Sequence, residues 1–414
     1  MNSLKPISIS LSPNTEKDDI LLAFKLFFQP WKWKEGKETG LLENEFKKYL
    51  GAKYAFSFNS GRSSLMAILN SLKLREGDEV LLQAFTCNAA ANPVIWSGLK
   101  PVFVDCNEGN FNIDTEDLKK KIGKNSKVVM VQHTFGLPAN MDEILEICRQ
   151  NNLILIEDCA HSLGAEYNDK KVGTFGKAAF FSFSRDKIIS SVYGGLIVTD
   201  DDELAKRIDN YRQTIGYPSM FWIKQQLLHP VLMNWLVLPT YSVLGKYLLI
   251  LFQWFRILSK AVHWKEKRGL KPGYFPKRLP RAMAILALNQ FKKLERFNSH
   301  RKEIAEFYAE RLMGSKYEMP EIIKGENIFL RFSVKNLQAH KIIKKAWRNN
   351  LLIGDWYTTP IAPHDTRLDK IGYKIGSCPK AEKLAKIVLN LPTHINISKK
   401  EAGKIIEFLK KYGD

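Results

Sequence analysis

Between about Glu38 and Asp200, short apolar runs alternate with stretches of helical spacing, and this alternation leaves few folds open. The runs KYAFSFNS, DEVLLQAFT, KPVFVD, SKVVMVQH and LILIED are each aliphatic or β-branched and end in polar residues. Between the first two, RSSLMAILNSLKL puts Leu65, Ile68, Leu69 and Leu72 on one side of a helix, and ENEFKKYLG upstream reads as a short amphipathic helix. Strands that are apolar throughout are buried on both faces, so the pattern predicts an α/β fold with a largely parallel sheet covered by helices. Ligands of such sheets bind at the carboxyl ends of the strands. Ser60, Thr86, His133 and Asp158 all fall there, although His133 is read as structural.

At 414 residues the chain is too long for one hydrophobic core. Residues 1–217 are assigned to an N-terminal arm and a large α/β domain. Residues 201–215 form a helix leading out of the sheet. An apolar insertion covers 218–272, and 273–414 hold a long helix (281–312) followed by a smaller α+β domain with a strand at IFLRFSVK.

The balance of 63 basic against 43 acidic residues gives a net charge of +20 and calls for an anionic partner. No zinc spacing, helix-turn-helix pattern or RNA-binding signature accompanies it, so nucleic acid is not expected and no metal site is assigned. Five cysteines without a CxxC pair fit a reducing compartment, and the first residues lack a basic-then-apolar secretory pattern. A cytoplasmic location is expected.

Chemistry enters with Lys187, in the run FFSFSRDKIISSVYGG. A lysine amine forms a Schiff base with an aldehyde cofactor such as pyridoxal phosphate, whose ring nitrogen then needs a fixed anion. Asp158, at the exit of a buried strand, is such an anion, and Ser182 lies five positions before the lysine, where it could donate to a phosphate. The helix after NSG would direct its first amides at an anion, with Gly61 allowing close approach, although an ordinary strand-to-helix turn reads the same way.

In this order, the segments NSGRSSLMAIL, GDEVLLQAFT, KPVFVD, VQHTFGLPANMDEI, LILIEDCAHSLGAEYNDKKVGTFGKAAFFSFSRDK, GGLIVTDDDELAKR, LNQFKKLERFNSHRKEIAEFY and LPTHINIS resemble the DegT/StrS family of sugar aminotransferases, from about Trp33 to Tyr412. The resemblance implies fold type I, with a mixed, mostly parallel sheet, and pyridoxal 5'-phosphate bound covalently by Lys187. It implies Asp158 on the ring nitrogen, His161 beside the cofactor, and Ser182 with the Ser60–Gly61 turn at its phosphate. It also implies a homodimer, an amino-acid donor such as glutamate, and a keto sugar carried on a nucleotide or a lipid. The sugar dehydratases of the family carry histidine in place of the lysine, so that branch is disfavoured. Four positions depart from the family. Cys87 stands where an aromatic ring usually stacks, leaving Phe85 or another residue to do so. Arg62 replaces a hydroxyl and either binds phosphate or faces solvent. Tyr193 replaces a glutamate before the glycine pair, and Pro276 stands where an asparagine reaches the neighbouring subunit's cofactor. These departures motivate a second reading, a non-catalytic cofactor-binding scaffold at a membrane.

The insertion carries Trp222, Trp235, Trp254 and Trp264 among many Leu and Phe. Its apolar stretch from Val231 to Phe252 is interrupted by Asn234, Pro239, Gly245 and Lys246, which predicts two shorter helices turning near 239–245. Such a hairpin would lie in a bilayer interface with Trp at headgroup level, held by Lys224, Arg256, Lys260, Lys265, Lys267, Arg268 and Lys271 on an anionic surface. Burial in a protein interface and a true span are the alternatives. The expected place is the inner face of the cytoplasmic membrane.

Overall fold

The computed structural model describes residues 4–323 and 325–413. Seven strands form the central sheet: β1 (Tyr54–Phe58), β2 (Glu79–Gln83), β3 (Lys100–Val104), β4 (Ser126–Gln132), β5 (Ile154–Asp158), β6 (Ala178–Ser182) and β7 (Gly195–Thr199). Their order is β1-β7-β6-β5-β4-β2-β3, and all pairs are parallel except those of β7, which runs antiparallel to β1 and β6. Each strand is buried on both sides. Val128, Met130 and Ile156 enter one apolar cluster, while Val129, Val131 and Leu155 enter another on the opposite face. This is why these strands read as unbroken apolar runs.

Register sets the site. Gln132 pairs with Asp158 across β4 and β5, and Asp158 pairs with Phe180 across β5 and β6, so three strands end on one line. Ser182 lies further along β6, opposite Gly195. A Cβ on Gly195 would collide with the Ser60 backbone, so the β1-to-helix turn can pack this closely only over glycine.

Beyond the sheet, Arg331–Lys335 pairs antiparallel with Val388–Pro392, and the helices Ala339–Arg348, Pro379–Ile387 and Lys399–Gly413 complete the C-terminal unit. The continuous helix expected over 281–312 is two helices, Arg281–Phe291 and Leu294–Leu312. At the break, Lys293 reaches back 2.6 Å to Asp18 and 3.1 Å to Asp19 of the Lys17–Phe27 helix. That ionic anchor fixes the turn, which hydrophobic periodicity does not encode.

The insertion runs as a helix from Met220 to Leu232, continues in wider turns to Val237, and resumes from Tyr241 to Trp254. The two arms meet at 111°, and no single helix among the described residues is long and apolar enough to cross a membrane. Gly245 sits at their crossing, where a Cβ would strike the Val237 carbonyl. Met233, Val237, Leu238 and Leu258 give the hairpin a small core of its own. Its outer side exposes Trp235, Val243, Ile250 and Trp254. The Lys17–Phe27 helix extends that apolar face with Leu21, Phe24 and Phe28, and Phe24 touches Trp235 ring to ring at 5.3 Å.

Candidate active site

The ends of β4, β5 and β6 open into a cleft lined by Gln132, Asp158, His161, Ser182 and Lys187, with Gly61 and Arg62 on one side and Trp356 and Tyr357 on the other. Lys187 is half-buried on the segment after β6, its amine 4.9 Å from the Trp356 ring centre. Burial pulls the lysine below its ordinary value, against the opposing pull of Asp186 and Asp158. More of the amine is therefore uncharged near neutrality than on a surface lysine.

Asp158 is buried at the end of β5, and burial raises its carboxyl above the usual range although Lys187 and His133 favour its charge. Among the described residues, the only hydrogen-bond donor to its side chain is the Ala160 amide, at 3.0 Å. A buried carboxylate so thinly supplied has room for a cationic N–H partner.

His161 is also buried, between Phe135 (6.0 Å, 7°) and Trp356 (5.5 Å, 22°). Its Nδ1 accepts from the Phe135 amide at 3.3 Å, which places the ring proton on Nε2. Burial, with Lys187 and Arg331 nearby, holds its pKa well below the histidine norm, so the ring is neutral.

At the other end of the cleft, Gly61 opens a helix at Ser182. A Cβ there would lie 3.1 Å from the Ser182 Cβ. The Ser182 hydroxyl lies 3.1 Å from that of Ser184, which also lines the cleft.

Three of the expected site residues are placed otherwise. Ser60 is fully buried, and its hydroxyl caps the Gly61–Ser71 helix by accepting from the Ser63 amide at 3.1 Å, so its side chain is not in the cleft lining. Phe85 is also fully buried, packed with Phe111, Phe135 and Tyr357, and does not line the cleft. Arg62 does line it, yet its Nε lies 2.6 Å from Glu266, a carboxylate of the insertion with no exposed surface. The arginine thus does not face solvent, and its Nε is turned to Glu266 at the edge of the cleft. Tyr193 belongs to the same arrangement, its hydroxyl reaching the Lys260 carbonyl at 2.8 Å. Two of the four departures from the family pattern therefore hold the returning end of the insertion, which brings Ala261 and Val262 into the cleft.

Sequence reasoning missed Trp356 and Tyr357, Gln132, Asp186 and the Arg62–Glu266 pair. Trp356 and Tyr357 sit in a short irregular segment that no periodicity marks. Arg331 gave the one available signal, a charge inside an apolar strand. It is buried, 3.3 Å from the Trp356 ring centre and 3.4 Å from Asp186, where it braces the cleft wall.

The chain matches the model of the DegT/DnrJ/EryC1/StrS aminotransferase family over residues 14–226 and 252–410, a match that omits the tip of the hairpin. The UDP-N-acetyl-3-dehydro-alpha-D-glucosamine 3-aminotransferase of Acidithiobacillus ferrooxidans is 26% identical over 95% of this chain and 94% of its own. Among solved structures, Helicobacter pylori PseC, an aminotransferase of pseudoaminic acid biosynthesis, gives a TM-score of 0.75 at 21% identity over 99% of both chains. An Escherichia coli GDP-4-keto-6-deoxy-D-mannose-3-dehydratase with bound hydrated pyridoxal phosphate gives 0.75 at 23% identity over 98% of this chain and 99% of its own. The residues of the cleft fit that cofactor: an amine for the aldehyde, an under-supplied buried carboxylate for the ring nitrogen, and a helix start with serine hydroxyls for the phosphate.

Proposed function

The chain belongs to the DegT/DnrJ/EryC1/StrS aminotransferase family, and on that premise we propose that it moves an amino group from glutamate to a keto sugar carried on a diphosphate, using pyridoxal phosphate. The observation that carries this reading is the convergence of Lys187 and Asp158 on one cleft at the strand ends. When bound, the cofactor supplies an aldehyde for the amino group and a ring that holds the electron pair released at the substrate carbon.

The chain does the rest. Lys187 would hold the cofactor at its aldehyde end, and its free amine would move the proton at the substrate carbon as general base and acid. Its lowered pKa keeps it competent near neutrality. Asp158 keeps the ring nitrogen protonated by offering a charge that the buried site leaves otherwise almost unpaired. His161 forms part of the cleft wall, its place fixed by stacking between Phe135 and Trp356. Gly61, Ser182 and Ser184 receive the phosphate end.

A groove along segment 258–264, lined by Arg256, Lys260, Lys265 and Lys277 with Tyr217 and Trp264, supports an anionic carrier for the sugar. The same reading includes a homodimer, supported by the family resemblance and checked by light scattering on the purified protein. It also includes peripheral attachment to the inner face of the membrane through the insertion.

The test mixes the cofactor-loaded full-length protein with L-glutamate and follows the cofactor's visible band together with 2-oxoglutarate release. Loss of the band with stoichiometric 2-oxoglutarate is expected, and no reaction overturns the reading. A second reading, a cofactor-binding scaffold without turnover, draws on the engagement of Arg62 by Glu266. Passage of ¹⁵N from glutamate into any keto sugar excludes it.

A further inference from the structure

We propose that the insertion builds the acceptor end of the active site, with His229 as the residue that binds a ring hydroxyl of the sugar. The assignment rests on the transaminase reading above and deepens it. His229 lies in the Met220–Leu232 helix, within residues 227–251 that the family match leaves out.

A cavity of about 330 Å³ runs between the insertion and the C-terminal unit, lined by His229, Met233, Leu249 and Gln253 on one side and by Thr358 and His364 on the other. It adjoins the Lys187 cleft, sharing Cys87, Asp186, Ala261, Val262, Trp356 and Tyr357 in the two linings. Its size lies at the lower end of small-molecule sites, roughly 300–1,000 Å³. Aromatic walls with a few polar groups suit a hexose, which offers apolar C–H faces and hydroxyl edges.

Among the lining residues, His229 stands out. It is 5% exposed, and neither ring nitrogen has a hydrogen-bond partner among the described residues. Leaving both unpaired in a buried place costs stability, unless a ligand meets them. Burial and the neighbouring Arg185 keep the ring neutral, with one donor and one acceptor nitrogen, either of which can pair with a hydroxyl. Arg185 also lines the cavity, and its Nε is likewise buried and unpaired while one terminal nitrogen donates to Ser259 at 2.6 Å. Glutamate, reacting at Lys187, has no need of this cavity. The inference therefore separates the two half-reactions.

The experiment compares wild-type holoenzyme with His229→Ala, His229→Gln and, as a control on the outer face of the hairpin, Trp254→Ala. Each is scored in the glutamate half-reaction and in the reaction with two acceptors, UDP-N-acetyl-3-dehydroglucosamine and GDP-4-keto-6-deoxymannose. Each sugar is also offered on a polyprenyl diphosphate, so that the two carriers of the shared diphosphate are told apart. His229→Ala is expected to raise the acceptor KM about tenfold or more with the glutamate half-reaction unchanged, as loss of a buried hydrogen bond requires. His229→Gln recovers part of the loss, and Trp254→Ala matches wild type. An unchanged acceptor KM, or an equal decline in both half-reactions, overturns the assignment. Refusal of all acceptors by wild-type enzyme that still reacts with glutamate also overturns it. Failure of the glutamate half-reaction itself would instead overturn the transaminase reading.

Discussion

The division of labour proposed for Lys187 and Asp158 draws on their responses to burial. Desolvation disfavours the charged form of each, lowering the lysine and raising the acid. Lys187→Ala is expected to abolish glutamate deamination while leaving the thermal melt within about 1 kcal/mol of wild type, since the amine makes no ion pair among the described residues. Asp158→Asn should retain cofactor yet slow the glutamate half-reaction by about 10²–10³-fold, the usual scale for removing a preorganised charge. Stopped-flow loss of the visible band reads both. A second consequence of burial concerns His394, whose Nε2 lies 2.8 Å from the Ser8 carbonyl and whose pKa is lowered from 6.5 to about 3. Below pH 6.5 the unfolded chain binds a proton there that the folded chain refuses, so stability falls as pH drops from 6.5 toward 3. At pH 5 this amounts to about 2 kcal/mol, and His394→Gln should lose correspondingly less stability between pH 7 and pH 5 in urea melts. At this scale, the acid and Ser182 were legible because each sits at a strand end with a chemistry of its own, and the lysine because it follows shortly after such an end. Ser60 and Phe85 were misread because capping and burial depend on neighbours far away in sequence.

The departures at Arg62 and Tyr193 become intelligible only with the insertion in place. A long-range ion pair leaves no mark on local periodicity, so Glu266, 204 residues from Arg62, could not be found by spacing. Arg62 was visible as an oddity whose partner was not. Breaking a buried pair by removing one member costs about 3–5 kcal/mol, whereas replacing both with apolar residues is often neutral. Arg62→Met alone and Glu266→Leu alone are therefore each expected to destabilise the protein by roughly that amount, and the double variant to recover most of it. A double-mutant cycle in urea decides this, and additive losses would show that the two side chains do not act as a pair. If the pair's role is to hold residues 258–268 over the cleft, both single variants should also expose that segment to limited proteolysis before the sheet opens.

At the level of the whole molecule, the sheet was legible because burial on both faces gives unbroken apolar runs. The joint between the hairpin and the Lys17–Phe27 helix was not, because it depends on a packing of distant elements. That joint enlarges the exposed apolar face beyond what the insertion alone presents, adding Leu21, Phe24 and Phe28 to Trp235, Tyr247, Ile250 and Trp254. Soluble monomers rarely leave so much apolar surface open without a partner. Of the flanking basic residues, Lys267 is engaged by Asp365 at 2.6 Å and Arg256, Lys260 and Lys265 line the groove assigned to the carrier, so Lys224, Arg268 and Lys271 remain of the seven read from sequence. At about 1 kcal/mol each near an anionic leaflet, with comparable energy from a few inserted aromatic and aliphatic side chains, charge and burial contribute on one scale. The attachment proposed above draws on both. Full-length protein is expected to co-sediment with phosphatidylglycerol vesicles at low salt, weaken several-fold at 0.5 M salt, and bind neutral phosphatidylcholine weakly. Trp254→Glu together with Ile250→Glu should release it at every salt concentration while leaving the glutamate half-reaction intact. Binding that ignores salt would assign attachment to burial alone. A double variant that still sediments would mean the exposed face meets another protein surface instead of lipid.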